Sequence, residues 1–228
     1  MNPKVLVGCP TSSHKSYCLA QYASAIKSMS YDNFDVLLVD NSKGNSYFRA
    51  IKSQGLPVVK VPYTESAKQR IVDSRNIIRR KVLDCDYDYF LSLEQDVIPP
   101  KDVIQRLIRH DKGIVSGVYF TYQKDKAIEL GLRPVLYKKS GTNSLKVMLE
   151  RDVLKPRLIE VGACGLGCVL IRKDILKNIR FRFSKDFEGF DDVWFCYDAF
   201  NLGFKVYADT SVKCKHLISG WTWDSIKE

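Results

Sequence analysis

Asp88-Tyr89-Phe90-Leu91-Ser92-Leu93-Glu94-Gln95-Asp96 runs from an apolar stretch into two carboxylates one residue apart, with Pro99-Pro100 close behind. A short apolar run bounded by polar residues and prolines reads as a buried strand. In an extended strand, residues i and i+2 share one face at roughly 6.6 Å. The spacing therefore predicts that Glu94 and Asp96 converge on a single cation, or on a cation plus a sugar hydroxyl. Magnesium and manganese favour hard oxygen ligands and take one or two from protein, leaving the rest to water and substrate phosphate. The pattern points to Mn2+ or Mg2+ and to a diphosphate-bearing substrate. Two acidic residues in a solvated turn are the competing reading of the triplet taken alone.

Upstream of this strand, strands and helices alternate. Lys4-Val5-Leu6-Val7-Gly8 is a strand, after which Cys18, Leu19, Tyr22, Ile26 and Met29 recur at helical spacing. Val36-Leu37-Leu38-Val39 is a second strand ending in Asp40-Asn41-Ser42, and Pro57-Val58-Val59-Lys60-Val61 is a third. Ser66 and Gln69 then form a capping-box pattern opening a helix that carries Ile71, Ile78 and Val82 inward. Continuous apolar strands separated by helices predict an α/β fold, a central mostly parallel sheet with helices on both faces. In such sheets, ligands bind at the carboxyl ends of the strands. Three strands here end in polar groups of chemical use: Pro10-Thr11-Ser12, Asp40-Asn41-Ser42 and Glu94-Gln95-Asp96.

Downstream the pattern is less regular. A strand at Gly113–Tyr119 gives way to a polar stretch from Tyr122 to about Asn143, read as loops with short strands, so a small antiparallel extension is expected in this half. Strand-like runs at Leu158–Val161 and Cys168–Ile171 flank the turn-rich Gly162–Gly167 segment. A helix starts at Asp191-Asp192-Val193 and stops at Gly203, a plausible C-cap, and the chain closes through His216 to an aromatic tail with Trp221 and Trp223.

At 228 residues, one domain spanning 1–228 is expected. Apolar residues at 45% against 27% charged exclude a disorder-dominated chain. No apolar run approaches a membrane span and the N-terminus lacks a signal-peptide pattern, so a cytoplasmic location is expected. Seven cysteines without a paired framework, several inside apolar segments, read as reduced buried thiols; Cys164, Cys168, Cys196, Cys214 and His216 could be assembled into a zinc site but lack C-x-x-C knuckles. A net charge of +10 favours anionic partners, including nucleotide phosphates and an anionic membrane surface. The basic runs, Lys68 to Lys81 and Arg172 to Lys185, read mostly as solvated helix faces.

Taken in order, these residues resemble nucleotide-sugar glycosyltransferases of the GT-A fold, especially the compact family 2-like members. The likeness rests on the strand ends at Pro10-Thr11 and Asp40, Arg75-Asn76 in the helix before the acidic strand, and Glu94-Gln95-Asp96 as a version of D-x-D. It continues through the Gly162–Gly167 turn, Gly189-Phe190-Asp191-Asp192, Gly203-Phe204 and the late His216. The resemblance implies a single GT-A domain in which residues 1–100 bind the nucleotide and residues 101–228 the acceptor, be it a glycan, a lipid-linked group or a protein. It implies that Pro10, Thr11 and Asp40 hold the base, that Arg75 approaches the base or phosphates, and that Asp96 ligates the metal. Glu94, longer by one methylene than the family's usual aspartate, would touch the metal or the ribose, and His216 would complete the metal shell. Asp192, supported by Asp191, would deprotonate the acceptor.

Each position has a structural alternative. Asp40-Asn41-Ser42 fits a strand-ending Asx turn, and Arg75 fits a surface helix arginine. Asp191 and Asp192 fit first-turn capping, where the helix dipole tends to keep a carboxylate ionised. His216 fits a partly exposed histidine in a lysine-rich segment. Two other functions compete. A sugar-phosphate nucleotidyltransferase needs a glycine-rich loop where Gly8-Cys9-Pro10-Thr11-Ser12 has one glycine, and a basic nucleic-acid-binding protein needs a recognisable module that is not seen. A non-catalytic sugar-binding protein is the third alternative.

Overall fold

Alternation of strand and helix holds as far as the acidic stretch. In chain order the elements are β1 (Val5–Thr11), α1 (Leu19–Lys27), β2 (Phe34–Asp40), α2 (Ser46–Ser53), β3 (Val58–Lys60), α3 (Ala67–Asp84) and β4 (Tyr89–Leu93), with a 3-10 helix, Ser13–Cys18, leading into α1. There follow β5 (Val97–Ile98), α4 (Val103–Ile108), β6 (Ile114–Val118), β7 (Phe120–Asp125), β8 (Ile128–Pro134), β9 (Leu136–Lys139) and β10 (Leu145–Val147). The chain ends with β11 (Leu158–Val161), β12 (Ala163–Cys164), β13 (Cys168–Arg172), α5 (Lys173–Asn178), α6 (Asp191–Asn201), β14 (Val206–Lys213) and β15 (Lys215–His216). These come from a computed structural model that describes residues 2–125, 128–141, 144–186 and 189–218; Trp221 and Trp223 lie outside the described residues.

One sheet of eight strands, in the order β11-β14-β6-β13-β4-β1-β2-β3, runs through the molecule. The pairs β3-β2, β2-β1, β1-β4 and β6-β14 are parallel, and only β13 and β11 run against the rest. The sheet is thus mostly parallel. Its two faces carry separate cores: Leu6, Val39, Ile78 and Phe90 pack on one side, Val7, Leu38, Leu91 and Leu93 on the other. Burial on both faces is why these strands read as continuous apolar runs. The small antiparallel pieces, β10-β9-β12, β7-β8 and β15-β5, all draw on the second half. Thus the stretch from Tyr122, read as loops with short strands, holds a hairpin and one strand of a three-stranded sheet.

Ser66 caps α3, accepting from the Gln69 N–H at 3.2 Å, an interaction worth about 1 kcal/mol. The helix lies close against β1 because of Gly8, where a Cβ would collide with the Ile78 side chain of α3 and stand 2.7 Å from the Phe90 ring of β4. All seven cysteines are free and six are buried. Among the described residues no helix is long and apolar enough to cross a membrane.

Two expectations fail here. The basic run on α3 is not simply a solvated face, since Arg70 and Arg75 are buried. And β4 stops at Leu93: Glu94, Gln95 and Asp96 form a turn closed by the Val97 N–H on the Glu94 carbonyl at 2.9 Å. The i, i+2 geometry of an extended strand therefore does not apply to the two carboxylates.

Candidate active site

The turn after β4 sends its three side chains to different partners. Glu94, its N–H anchored on the Gly167 carbonyl at 2.9 Å, directs its carboxylate to Arg75 Nη2 at 3.3 Å. Asp96 Oδ2 meets Lys15 Nζ, His216 Nε2 at 3.1 Å and the Tyr17 hydroxyl at 3.3 Å. Gln95 turns inward between them. Its Oε1 accepts from the Thr11 and Tyr47 hydroxyls, and its Nε2 donates to the Lys15 carbonyl at 2.7 Å. The convergence of Glu94 and Asp96 on one ion is thus absent, and among the described residues no group of three or more His, Cys, Asp or Glu is placed to hold a metal.

Arg75, at 1% exposure, is the hub of the site. Its Nε donates to Asp191 Oδ2 at 2.7 Å, Nη1 to Ser92 Oγ at 2.6 Å, and Nη2 to Glu94. Ser92 Oγ in turn donates a hydrogen bond to the Leu166 carbonyl at 2.6 Å, so the guanidinium ties the end of β4, the glycine turn and the start of α6 together. Burial opposes its charge, but Asp191 and Glu94 outweigh that and raise its pKa. Arg75 borders the cleft, yet these donors are engaged with protein rather than open to a base or phosphate.

Asp191 and Asp192 open α6, as the sequence indicates, and they part company at once. Asp191 is buried against Arg75, whereas Asp192 is half-buried and accepts the Val193 N–H at 2.8 Å. Burial, then the charge of Asp191, push the Asp192 carboxyl up to about 7, against the pull of that N–H and of Arg75. The expected effect of the helix dipole, an ionised carboxylate, is overridden by desolvation.

Asp40 is fully buried, accepts from the Ser42 N–H at 2.9 Å and pairs with Lys60 Nζ at 3.0 Å. That is the Asx-turn alternative, supplemented by a lysine. The cleft beside it is bordered by Pro10, Thr11, Ser12, Asn41 and Arg70, so the residue after Asp40 faces the open space.

His216 is only partly exposed. Its Nδ1 lies 2.7 Å from the Phe120 carbonyl, which accepts a hydrogen bond there and leaves Nε2 for Asp96. Burial would lower the His216 pKa, but the hydrogen bond and charge of Asp96 raise it; conversely His216 and Lys15 hold Asp96 well below the usual carboxylate range despite its burial. Tyr119 braces the imidazole edge-on at 5.5 Å between centroids, and its hydroxyl accepts the Gly167 N–H at 3.0 Å. Gly167 is required by this approach, since a Cβ there would stand 2.6 Å from Tyr119 Cζ.

No family model matches the chain, and no curated protein is similar to it in sequence. Solved structures are similar to it in fold. A197 from STIV is 19% identical with a TM-score of 0.55, the match covering 95% of this chain and 86% of that one. The structure of GalNAc-T7 with UDP, GalNAc and Mn2+ has a TM-score of 0.67 at 11% identity, over 96% of this chain and 45% of that one. S. aureus TarS has a TM-score of 0.57 at 13% identity, over 98% of this chain and 38% of that one. At these identities the likeness is one of fold. The chain has the GT-A glycosyltransferase fold. It spans less than half of the GalNAc-T7 and TarS chains.

In a GT-A fold a divalent cation is implied, and the residues fit one. Asp96 Oδ1 is buried with no hydrogen-bond partner among the described residues, which is costly for a carboxylate oxygen unless something else binds it. Asp96 and His216, already adjacent, are the side chains that would hold it. Two protein donors suffice when substrate oxygens complete the shell. Glu94, held by Arg75, is not among them.

Sequence reasoning missed Lys15, Gln95 and Tyr119. Lys15 sits in the Ser12-Ser13-His14-Lys15 segment that follows the first strand end, and its position at a carboxyl end of the sheet was the available signal. Nothing local marks Gln95 or Tyr119.

Proposed function

We propose that this chain is a metal-assisted glycosyltransferase moving a sugar from a nucleotide diphosphate sugar to an acceptor hydroxyl. The observation that carries the reading is the Arg75 bridge, which joins Glu94 at the end of β4 to Asp191 at the start of α6. One buried cation thereby brings the donor-side turn and the acceptor-side carboxylates into a single site. Residues 1–100 bind the nucleotide in the cleft bordered by Pro10, Thr11 and Asn41, with Asp40 shaping the turn that presents Asn41. Residues 101–228 bind the acceptor.

Asp96 and His216 would hold the cation, which supplies positive charge to the departing diphosphate when bound. Asp192 is the base. The acceptor oxygen attacks the anomeric carbon, its proton passes to the Asp192 carboxylate, and the bond from that carbon to phosphate breaks with its electron pair leaving on the diphosphate. A base with a pKa near the working pH suits this role, being ionised in a useful fraction while still a competent acceptor. Asp191 keeps its charge engaged on Arg75 and fixes the start of α6. The chemistry requires inversion at the anomeric carbon.

Beside Asp192, an open groove lined by Leu145, Val193, Trp194, Tyr197 and Phe200 offers aromatic faces to an acceptor, whether glycan, lipid-linked or protein. The net charge of +10 is compatible with the cytoplasmic face of an anionic membrane as the working place.

A thermal-shift screen of UDP-, GDP-, CMP- and dTDP-sugars with and without Mn2+ tests the proposal. Binding at a hundred times Kd stabilises by about 2.7 kcal/mol, so one donor should raise the melting temperature, and more with Mn2+. No shift with any donor would count against nucleotide-sugar binding.

A further inference from the structure

Three groups crowd one oxygen of Asp96, while its other oxygen has none among the described residues. Oδ2 takes Lys15 Nζ, His216 Nε2 and the Tyr17 hydroxyl; Oδ1 is buried and without a partner among the described residues. An ion held by Asp96, with Oδ1 the oxygen left open to it, would stand within the span of one carboxylate of the Lys15 ammonium on Oδ2. Two cations there repel each other, and little water is available to screen them, since the Lys15 and Asp96 side chains are only 15% and 5% exposed. Lys15 comes from the short 3-10 helix Ser13–Cys18 and also borders the open cleft with Pro10, Ser12 and Arg70, so its stem reaches both Asp96 and the space assigned to the donor.

Resting on the reading of Asp96 as a metal ligand, we propose that Lys15 is a resident cation that makes metal binding conditional on the donor's diphosphate. Without donor, Lys15 neutralises Asp96 and competes with the metal. Diphosphate oxygens give the ammonium a second anionic partner in the cleft, draw it off Asp96 and admit the ion. Because linkage is reciprocal, the metal then strengthens diphosphate binding by the factor by which diphosphate strengthens metal binding.

The test is Mn2+ titration followed by electron paramagnetic resonance at one neutral pH, on the wild type, Lys15→Met, and each combined with Asp96→Asn. Lys15→Met keeps the apolar stem and removes the charge; Lys15→Gln replaces it if far-UV circular dichroism shows the methionine variant misfolded. With Mn2+ alone, removal of the charge should tighten binding at least about fivefold, the lower end of typical coupling between sites. In the presence of UDP, GDP, CDP and dTDP together that gain should shrink. Equal or weaker Mn2+ binding by the variant, or a gain that diphosphates leave unchanged, overturns the proposal. If Asp96→Asn leaves Mn2+ binding intact, the metal reading falls and the proposal with it, whereas an Asp96-dependent affinity indifferent to Lys15 overturns the proposal alone.

Discussion

Replacing Asp192 by asparagine separates a base from a helix cap, because the two roles predict opposite effects on stability. The Asp192 carboxyl is raised from 3.8 to about 7, so the folded protein holds a proton that the unfolded chain has released throughout that window. Stability of the wild type should fall as pH rises between these values and level off above about 7. At 1.36 kcal/mol per pH unit the ceiling is about 4 kcal/mol, and partial exposure of the side chain brings the expectation down to about 1–3 kcal/mol. Asp192→Asn cannot ionise and escapes that loss. Urea unfolding at pH 4 and pH 8.5 should therefore show the variant near the wild type at the acid end and more stable by that amount at the alkaline end. Sugar transfer should fall about 10²- to 10⁴-fold, donor affinity should barely change, and the wild-type rate should rise with pH through about 7. A variant less stable than wild type at both pH values, or one transferring sugar at the parent rate, would leave Asp192 as a cap.

The other predictions concern the groups around it. Arg75→Met strands Asp191 in the core and should cost about 3–5 kcal/mol in urea unfolding, with part recovered by adding Asp191→Asn; a loss under about 1 kcal/mol contradicts the hub. Gly167→Ala places a Cβ against Tyr119 and should cost about 1–3 kcal/mol, so an unchanged urea midpoint would show that the Tyr119 contact is not close. His216→Ala should weaken Mn2+ more than Mg2+ in calorimetry, imidazole being the better ligand for the softer ion, and equal losses for both metals argue against ligation.

What could be read from the chain and what could not divide along the range of the interactions. The alternation from Val5 to Leu93, α2 excepted, was legible because strands buried on both faces and an amphipathic α3 leave local signatures, and Ser66 marked its helix start. The antiparallel insertion of β13 leaves no local mark, since Cys168–Arg172 is as apolar as its parallel neighbours. The short helices α2, α4 and α5 carry too few turns for their period to register. At the site, the Asp191-Asp192 helix start was visible as two carboxylates before an apolar run. The turn at Glu94 was not, because it depends on the Gly167 carbonyl far along the chain. Arg75 reads locally as one of several basic residues on α3, and its partner Asp191 lies 116 residues away. The elevated pKa of Asp192 follows from desolvation in the folded chain, against the local expectation from the helix dipole.

The measurement that tests the central claim most directly is proton and phosphorus NMR of UDP-, GDP-, CMP- and dTDP-sugars incubated with the protein, Mn2+ and a mixed panel of hydroxyl acceptors. One nucleotide diphosphate sugar should be consumed with release of its nucleoside diphosphate and with inversion at the anomeric carbon, and Asp96→Ala should abolish the reaction while remaining folded. No donor consumed, a retained configuration, or turnover indifferent to Asp96 would contradict the account.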